Sequence, residues 1–205
     1  MPGPADHDTI AINPRLKVLH RMVTDGSCKF LSFDIFDTIL WRRVPRPTDV
    51  FALVGAKLRR EGRCPDWVTE AAFREMRIAA ERKARTRRGS LGEEVSLFDI
   101  WEAMPLETFS ASIEELVDAE MAMERAFTVI DHDMADVIRL AQKHDVPVVL
   151  VSDTYFTEDQ LAHLLDRPEL GSLSDVRVFR SHQHGRGKGN GLWPIVLKAL
   201  GCGPE

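Results

Sequence analysis

The stretch Val146-Pro147-Val148-Val149-Leu150-Val151 is almost unbroken in apolar residues, and it constrains the fold more than any other part of the chain. A run this short and apolar reads as a strand buried on both faces, the pattern of a parallel sheet flanked by helices. Pro147 lies near its start, where a missing N–H is best tolerated. A second strand-like segment, Phe30-Leu31-Ser32-Phe33, ends abruptly in Asp34, and Thr38 follows four positions later. Burying an unpaired charge is strongly unfavourable, so a carboxylate at the end of a buried strand points to a use for it. In open α/β sheets, ligands bind in the crevice outside the carboxyl ends of the strands, where Asp34 would sit.

The remaining chain fits around these strands as helices. Of the 205 residues, 44% are apolar and 29% charged, an ordinary globular balance that can fill a full core. No apolar run approaches the length of a membrane span, and the polar, acidic N-terminus is not a secretory signal. Three widely spaced cysteines, Cys28, Cys64 and Cys202, suggest a reducing compartment with neither a disulfide framework nor a zinc site. A net charge of −5 argues against general nucleic-acid binding. The expectation is a soluble, cytoplasmic α/β protein with no membrane and no nucleic-acid partner.

Residues 1–12 read as a loose leader, with a short helix from about Pro14 to Val23 and a strand near 29–34. Thr48 is the N-cap of a helix over Asp49 to Arg60, and Pro65 suits the first turn of a helix running to about Arg85. From residue 60 to about 145 the period is helical almost throughout, with helices near 96–104, 111–128 and 132–144 and breaks at Gly89-Ser90 and Pro105. A strand at 146–151, a helix near 157–166, a strand at 176–180, a glycine-rich loop at 185–191 and a helix at 192–200 follow.

Three short motifs carry chemistry. Asp34 and Thr38 form the first, Ser152 in Ser152-Asp153-Thr154-Tyr155 the second, and Lys188 in Gly185-Arg186-Gly187-Lys188-Gly189-Asn190-Gly191 the third. Each alone has a second reading: an Asp that organises a turn, a Ser that caps a helix, a solvated Lys in a flexible loop. The glycine-rich loop is not a P-loop, since Gly189 follows Lys188 and His182 stands where the earlier glycine is required.

In this order and spacing, the three motifs resemble the haloacid dehalogenase-like (HAD) hydrolase superfamily, over about residues 29 to 200. The resemblance implies a Rossmann-like parallel sheet core, made of residues 1–44 and 146–205, with an inserted α-helical cap at 45–145. It implies Asp34 as nucleophile on a small phosphorylated metabolite, with an aspartyl-phosphate intermediate. Thr38 and Ser152 would orient the nucleophile and hold phosphate oxygens, and Lys188 would neutralise charge. Mg²⁺ would be held by Asp34, by the backbone carbonyl of Phe36 and by a late Asp.

The sequence departs from this pattern in two places. The second Asp that protonates a leaving alkoxide is replaced by Phe36, and the nearest carboxylate, Asp37, lies one residue further on. In extended backbone that shift points a side chain to the other face, so Asp37 is only a possible acid. An aromatic at that position is a dehalogenase trait, because halide leaves without a proton. The family's acidic pair also does not follow Lys188 before Gly203-Pro204-Glu205. The expectation is therefore an incomplete metal site, core strands missing at the C-terminal end, and an unpaired sheet edge open to self-association.

Arg74, Arg77, Arg82, Lys83, Arg85, Arg87 and Arg88 crowd the first long helix of the expected cap and the turn beyond. They read as a solvated face with i,i+4 pairs, with Arg77 and Arg82 as candidates to reach over Asp34 and hold a small anionic substrate. Trp41, Trp67, Trp101 and Trp193 read as core or cap-interface packing. The expected function is phosphoric-ester hydrolysis. Carbon–halogen hydrolysis is the enzymatic alternative, and a degenerate domain that binds without turnover is the non-catalytic one.

Overall fold

The computed structural model describes residues 13–89, 94–173 and 176–202. Among them the strands are β1 (Leu31–Phe33), β2 (Leu40–Arg42), β3 (Thr128–Ile130), β4 (Val148–Ser152) and β5 (Arg177–Arg180). Strands β1, β4 and β5 form a parallel sheet in that order, with Phe33 opposite Leu150 and Ser152 opposite Arg180. The apolar run behaves as its composition dictates: all five residues of β4 are buried, and the Pro147 carbonyl at its start accepts the Leu31 N–H at 2.8 Å. Strand β1 lies at one edge of this sheet.

Helix α1 (Lys17–Thr24) precedes β1. Helices α2 (Asp49–Arg60), α3 (Glu70–Gly89), α4 (Leu97–Glu102) and α5 (Ile113–Phe127) fill the chain between β2 and β3. Helices α6 (His132–Lys143), α7 (Glu158–Leu165), α8 (Ser181–His184) and α9 (Leu192–Ala199) follow. Leu150 faces the large core with α6 and α7, whereas Val149 and Val151 pack with Leu192 and Val196 of α9, so helices flank both faces of the sheet. No helix among the described residues is long and apolar enough to cross a membrane.

The helical span joins the same large core as one face of the sheet. Val50, Phe51, Val54 and Leu58 put one apolar face of α2 against α3, and Phe73, Trp101 and Phe109 meet with ring centroids 6.0–6.1 Å apart. Gly55 sits at the closest approach, where a Cβ would fall 2.6 Å from the Phe73 ring. A Gly55→Ala substitution is expected to lower stability by about 1–3 kcal/mol, because the crowded ring has no free volume to move into. Urea unfolding checks this, and unchanged stability would mean that α2 and α3 separate readily.

Several expectations need correction. Thr48 occupies the N-cap position of α2 but makes no capping hydrogen bond; the Asp49 carboxylate instead accepts the Arg46 N–H at 3.1 Å. Pro65 shapes a turn, with the Val68 N–H on its carbonyl at 3.0 Å, and α3 starts only at Glu70. The break at Gly89-Ser90 is bounded by the end of α3 at Gly89, and Ser90 lies outside the described residues, as does the leader at 1–12. Within the span from 60 to 145 the helices are interrupted by β3, which pairs antiparallel with β2, Trp41 opposite Val129, a ribbon the sequence reading did not include. Trp101 is buried, but Trp41, Trp67 and Trp193 are exposed.

Candidate active site

Asp34 immediately follows β1, and one carboxylate oxygen, Oδ1, accepts the Ile35 N–H at 2.8 Å. Its other oxygen, Oδ2, is bonded by the Lys188 ammonium, from 154 residues away in sequence. The loop that delivers Lys188 is built by its glycines. Gly185 ends α8 and Gly191 precedes α9, both in the left-handed region (φ 62° and 93°), and the Asn190 and Leu192 N–H groups turn back onto the Gly187 carbonyl. Asp153 fixes the same loop from the neighbouring strand end, accepting the Lys188 backbone N–H at 2.7 Å.

Ser152 closes β4 and is buried, and Arg180 stands opposite it at the end of β5. The loop beyond Ser152 is tied down by Ser181, whose hydroxyl accepts the Thr154 N–H at 3.0 Å and donates to the Thr154 carbonyl at 3.2 Å. Asp34, Ser152 and Lys188 therefore gather at the carboxyl ends of adjacent parallel strands. Their spacing in the sequence foreshadows this. The roles of Asp153, Ser181 and Arg180 escaped that reading, because they rest on long-range contacts that no local pattern displays. The Arg180 side chain is only 6% exposed and gives one nitrogen to Glu158 at 3.1 Å, while its buried Nε and Nη1 have no partner among the described residues.

The segment after Asp34 is a tight loop rather than a continued strand. The Ile39 and Leu40 N–H groups both reach the Ile35 carbonyl, and Asp37 takes a left-handed conformation (φ 55°) while donating its N–H to Leu40. Simple strand alternation therefore does not decide where the exposed Asp37 side chain points. The Thr38 carbonyl accepts the Trp41 indole N–H at 3.2 Å, which ties this loop to β2. Phe36 is partly buried between the Phe156 ring, 5.7 Å away, and the Arg42 guanidinium, 4.5 Å above its own ring.

The arginines of α3 divide sharply. Arg82 is exposed, whereas Arg77 is fully buried, so the structure places Arg77 inside the protein rather than over a ligand. Its Nε and Nη2 bond the equally buried Glu120 at 2.9 and 2.7 Å, and its Nη1 reaches Glu81 at 3.3 Å. Its guanidinium lies over Phe51 and Tyr155, 4.4 and 5.5 Å from the ring centres. A second pair, Arg42–Glu124, closes at 2.9 Å one helical turn further along α5. Burial pulls on both arginines, yet Glu120 and Glu124 outweigh it and hold their guanidinium groups above the ordinary range. Burial also pushes the Tyr155 phenol up.

Asp34 and Lys188 remain 37% and 26% exposed, and a pair so open contributes only about 0–1 kcal/mol to stability. The contact lies at the carboxyl end of the sheet, where open α/β sheets bind ligands as a class. The hard oxygen donors that Mg²⁺ takes are represented by the Asp34 carboxylate and the Phe36 carbonyl, for which the structure shows no donor among the described residues. No protein-family model matches the chain, and no curated protein matches it.

Proposed function

We propose that the chain is a HAD-like hydrolase of small phosphorylated metabolites, a Rossmann-like core with α2–α5 as an inserted helical cap. The observation that supports this best is the Lys188–Asp34 contact beside Ser152 at the carboxyl ends of β1 and β4. An Asp34 oxygen attacks phosphorus, the ester P–O bond breaks, and the alkoxide leaves with a proton. Water then attacks the aspartyl phosphate, inorganic phosphate departs, and the Asp34 carboxylate is restored.

Lys188 bonds the Asp34 carboxylate and faces the charge that develops on the phosphoryl oxygens, while Ser152 and Thr38 hold and orient. Asp34 and the Phe36 carbonyl would hold Mg²⁺, whose charge would neutralise the phosphoryl group. Asp37 is the carboxylate nearest in sequence that could protonate the leaving group, and its left-handed backbone removes the strand-alternation argument against it. The aromatic wall at Phe36 supports haloacid dehalogenation as a second reading, in which Asp34 attacks carbon and halide leaves unprotonated.

Strand β1 pairs with β4 on one side among the described residues, and self-association through its other side forms part of this proposal. The test is release of phosphate from 4-nitrophenyl phosphate, against chloride from 2-chloropropionate, with and without a chelator. Phosphate release that falls on chelation, and falls on the order of a hundredfold in Lys188→Met, is expected. Chloride release alone selects the second reading. No release of either leaves a binding domain.

A further inference from the structure

We infer that Arg42 and Arg77 are positioning residues for the two loops that carry Asp34 and Ser152, an inference that rests on reading those loops as a phosphoryl-transfer site. A closed circuit of contacts carries it. Arg77 lies over Tyr155, Tyr155 packs on Phe156 at 4.7 Å, Phe156 packs on Phe36, and Phe36 lies under Arg42. Arg42 returns to Glu124, which stands one turn from Glu120 on α5, and Glu120 returns to Arg77. Tyr155 and Phe156 end the loop that begins at Ser152, and Phe36 sits in the loop that begins at Asp34. The helical span is thus coupled to both candidate catalytic loops through two guanidinium faces.

Stability alone does not call for this arrangement. A buried ion pair can be replaced by apolar residues of similar volume with little loss, so its retention asks for another reason. Here each guanidinium is bonded along its edge by glutamate, Arg42 by Glu124 and Arg77 by Glu120 and Glu81, and offers its flat face to an aromatic ring, which a point charge could not do as well. Phe36 accordingly stands where an acid would otherwise be expected, as the platform for Arg42. The Leu97 N–H reinforces the same junction by donating to the Tyr155 carbonyl at 3.2 Å. The titratable groups that act most strongly on Arg42 and Arg77, namely Glu81, Glu120, Glu124, Asp37 and Tyr155, all favour the charged guanidinium.

The experiment is the double replacement Arg42→Met with Glu124→Leu, which removes both charges together and leaves neither uncompensated. With 4-nitrophenyl phosphate, kcat is expected to fall on the order of tenfold or more while KM stays within about twofold and the melting temperature is retained. A second readout needs no turnover. The Trp41 indole N–H, bonded to the Thr38 carbonyl, gives a resolvable nitrogen–proton resonance, identified by its loss in Trp41→Phe. That resonance is expected to shift and broaden in the double variant. Unchanged kcat and an unmoved indole resonance in a folded variant would show the pair to be structural only and overturn the inference. If the wild-type chain releases no phosphate, the hydrolase reading fails by itself, and the indole resonance decides the positioning role alone. Should the double variant not fold, Glu124→Gln keeps the shape of the site and is read in the same two ways.

Discussion

Asp34→Asn is expected to abolish phosphate release, with a loss of at least about a thousandfold, and to leave the fold intact. An amide of the same shape cannot act as the nucleophile, and removing a nucleophile from a cooperating site costs more than any single supporting contact. Stability is spared because the Lys188–Asp34 pair is partly solvated and the Ile35 N–H can still be accepted by the amide oxygen. Phosphate release and a thermal melt on the same preparation check both halves. Residual turnover close to wild type would remove Asp34 from the chemistry.

Arg77→Ala has the largest expected effect on stability, a loss of about 3–5 kcal/mol, because it strands a fully buried Glu120 carboxylate without its partner. It also strips the packing surface from Phe51 and Tyr155. The exposed Arg82, one turn and a residue further along α3, should change stability by only about 0.5 kcal/mol or less when truncated. Urea unfolding of the two variants side by side reads this contrast. Equal stabilities, with a raised KM for anionic substrates in Arg77→Ala, would return Arg77 to a ligand-binding role.

These two residues show where the sequence was readable. The β4 run was legible because its burial is continuous and leaves no other period to fit, and the Asp34 strand end because a carboxylate follows abruptly on apolar residues. Lys188 was legible as a motif, yet its long-range contact with Asp34 is a tertiary fact. Arg77 sits among seven basic residues on one helix and turn, and nothing local distinguishes the one whose glutamate partner lies 43 residues away. The β2–β3 ribbon was hidden for a related reason. Its strands are three residues each, too short to display alternation, and they are stabilised by pairing with each other across the whole helical span. The left-handed Asp37 equally depends on the turn that closes onto Ile35, an arrangement that strand alternation does not anticipate.

The central claim is that Asp34 forms a covalent phosphoryl intermediate, and rapid acid quenching of the chain with 4-nitrophenyl phosphate tests it most directly. Peptide mass spectrometry of the quenched protein is predicted to find a phosphoryl group on the peptide that contains Asp34, absent from Asp34→Asn and removed by hydroxylamine. Phosphate release with no adduct on that peptide, or an adduct that persists in Asp34→Asn, would contradict the account.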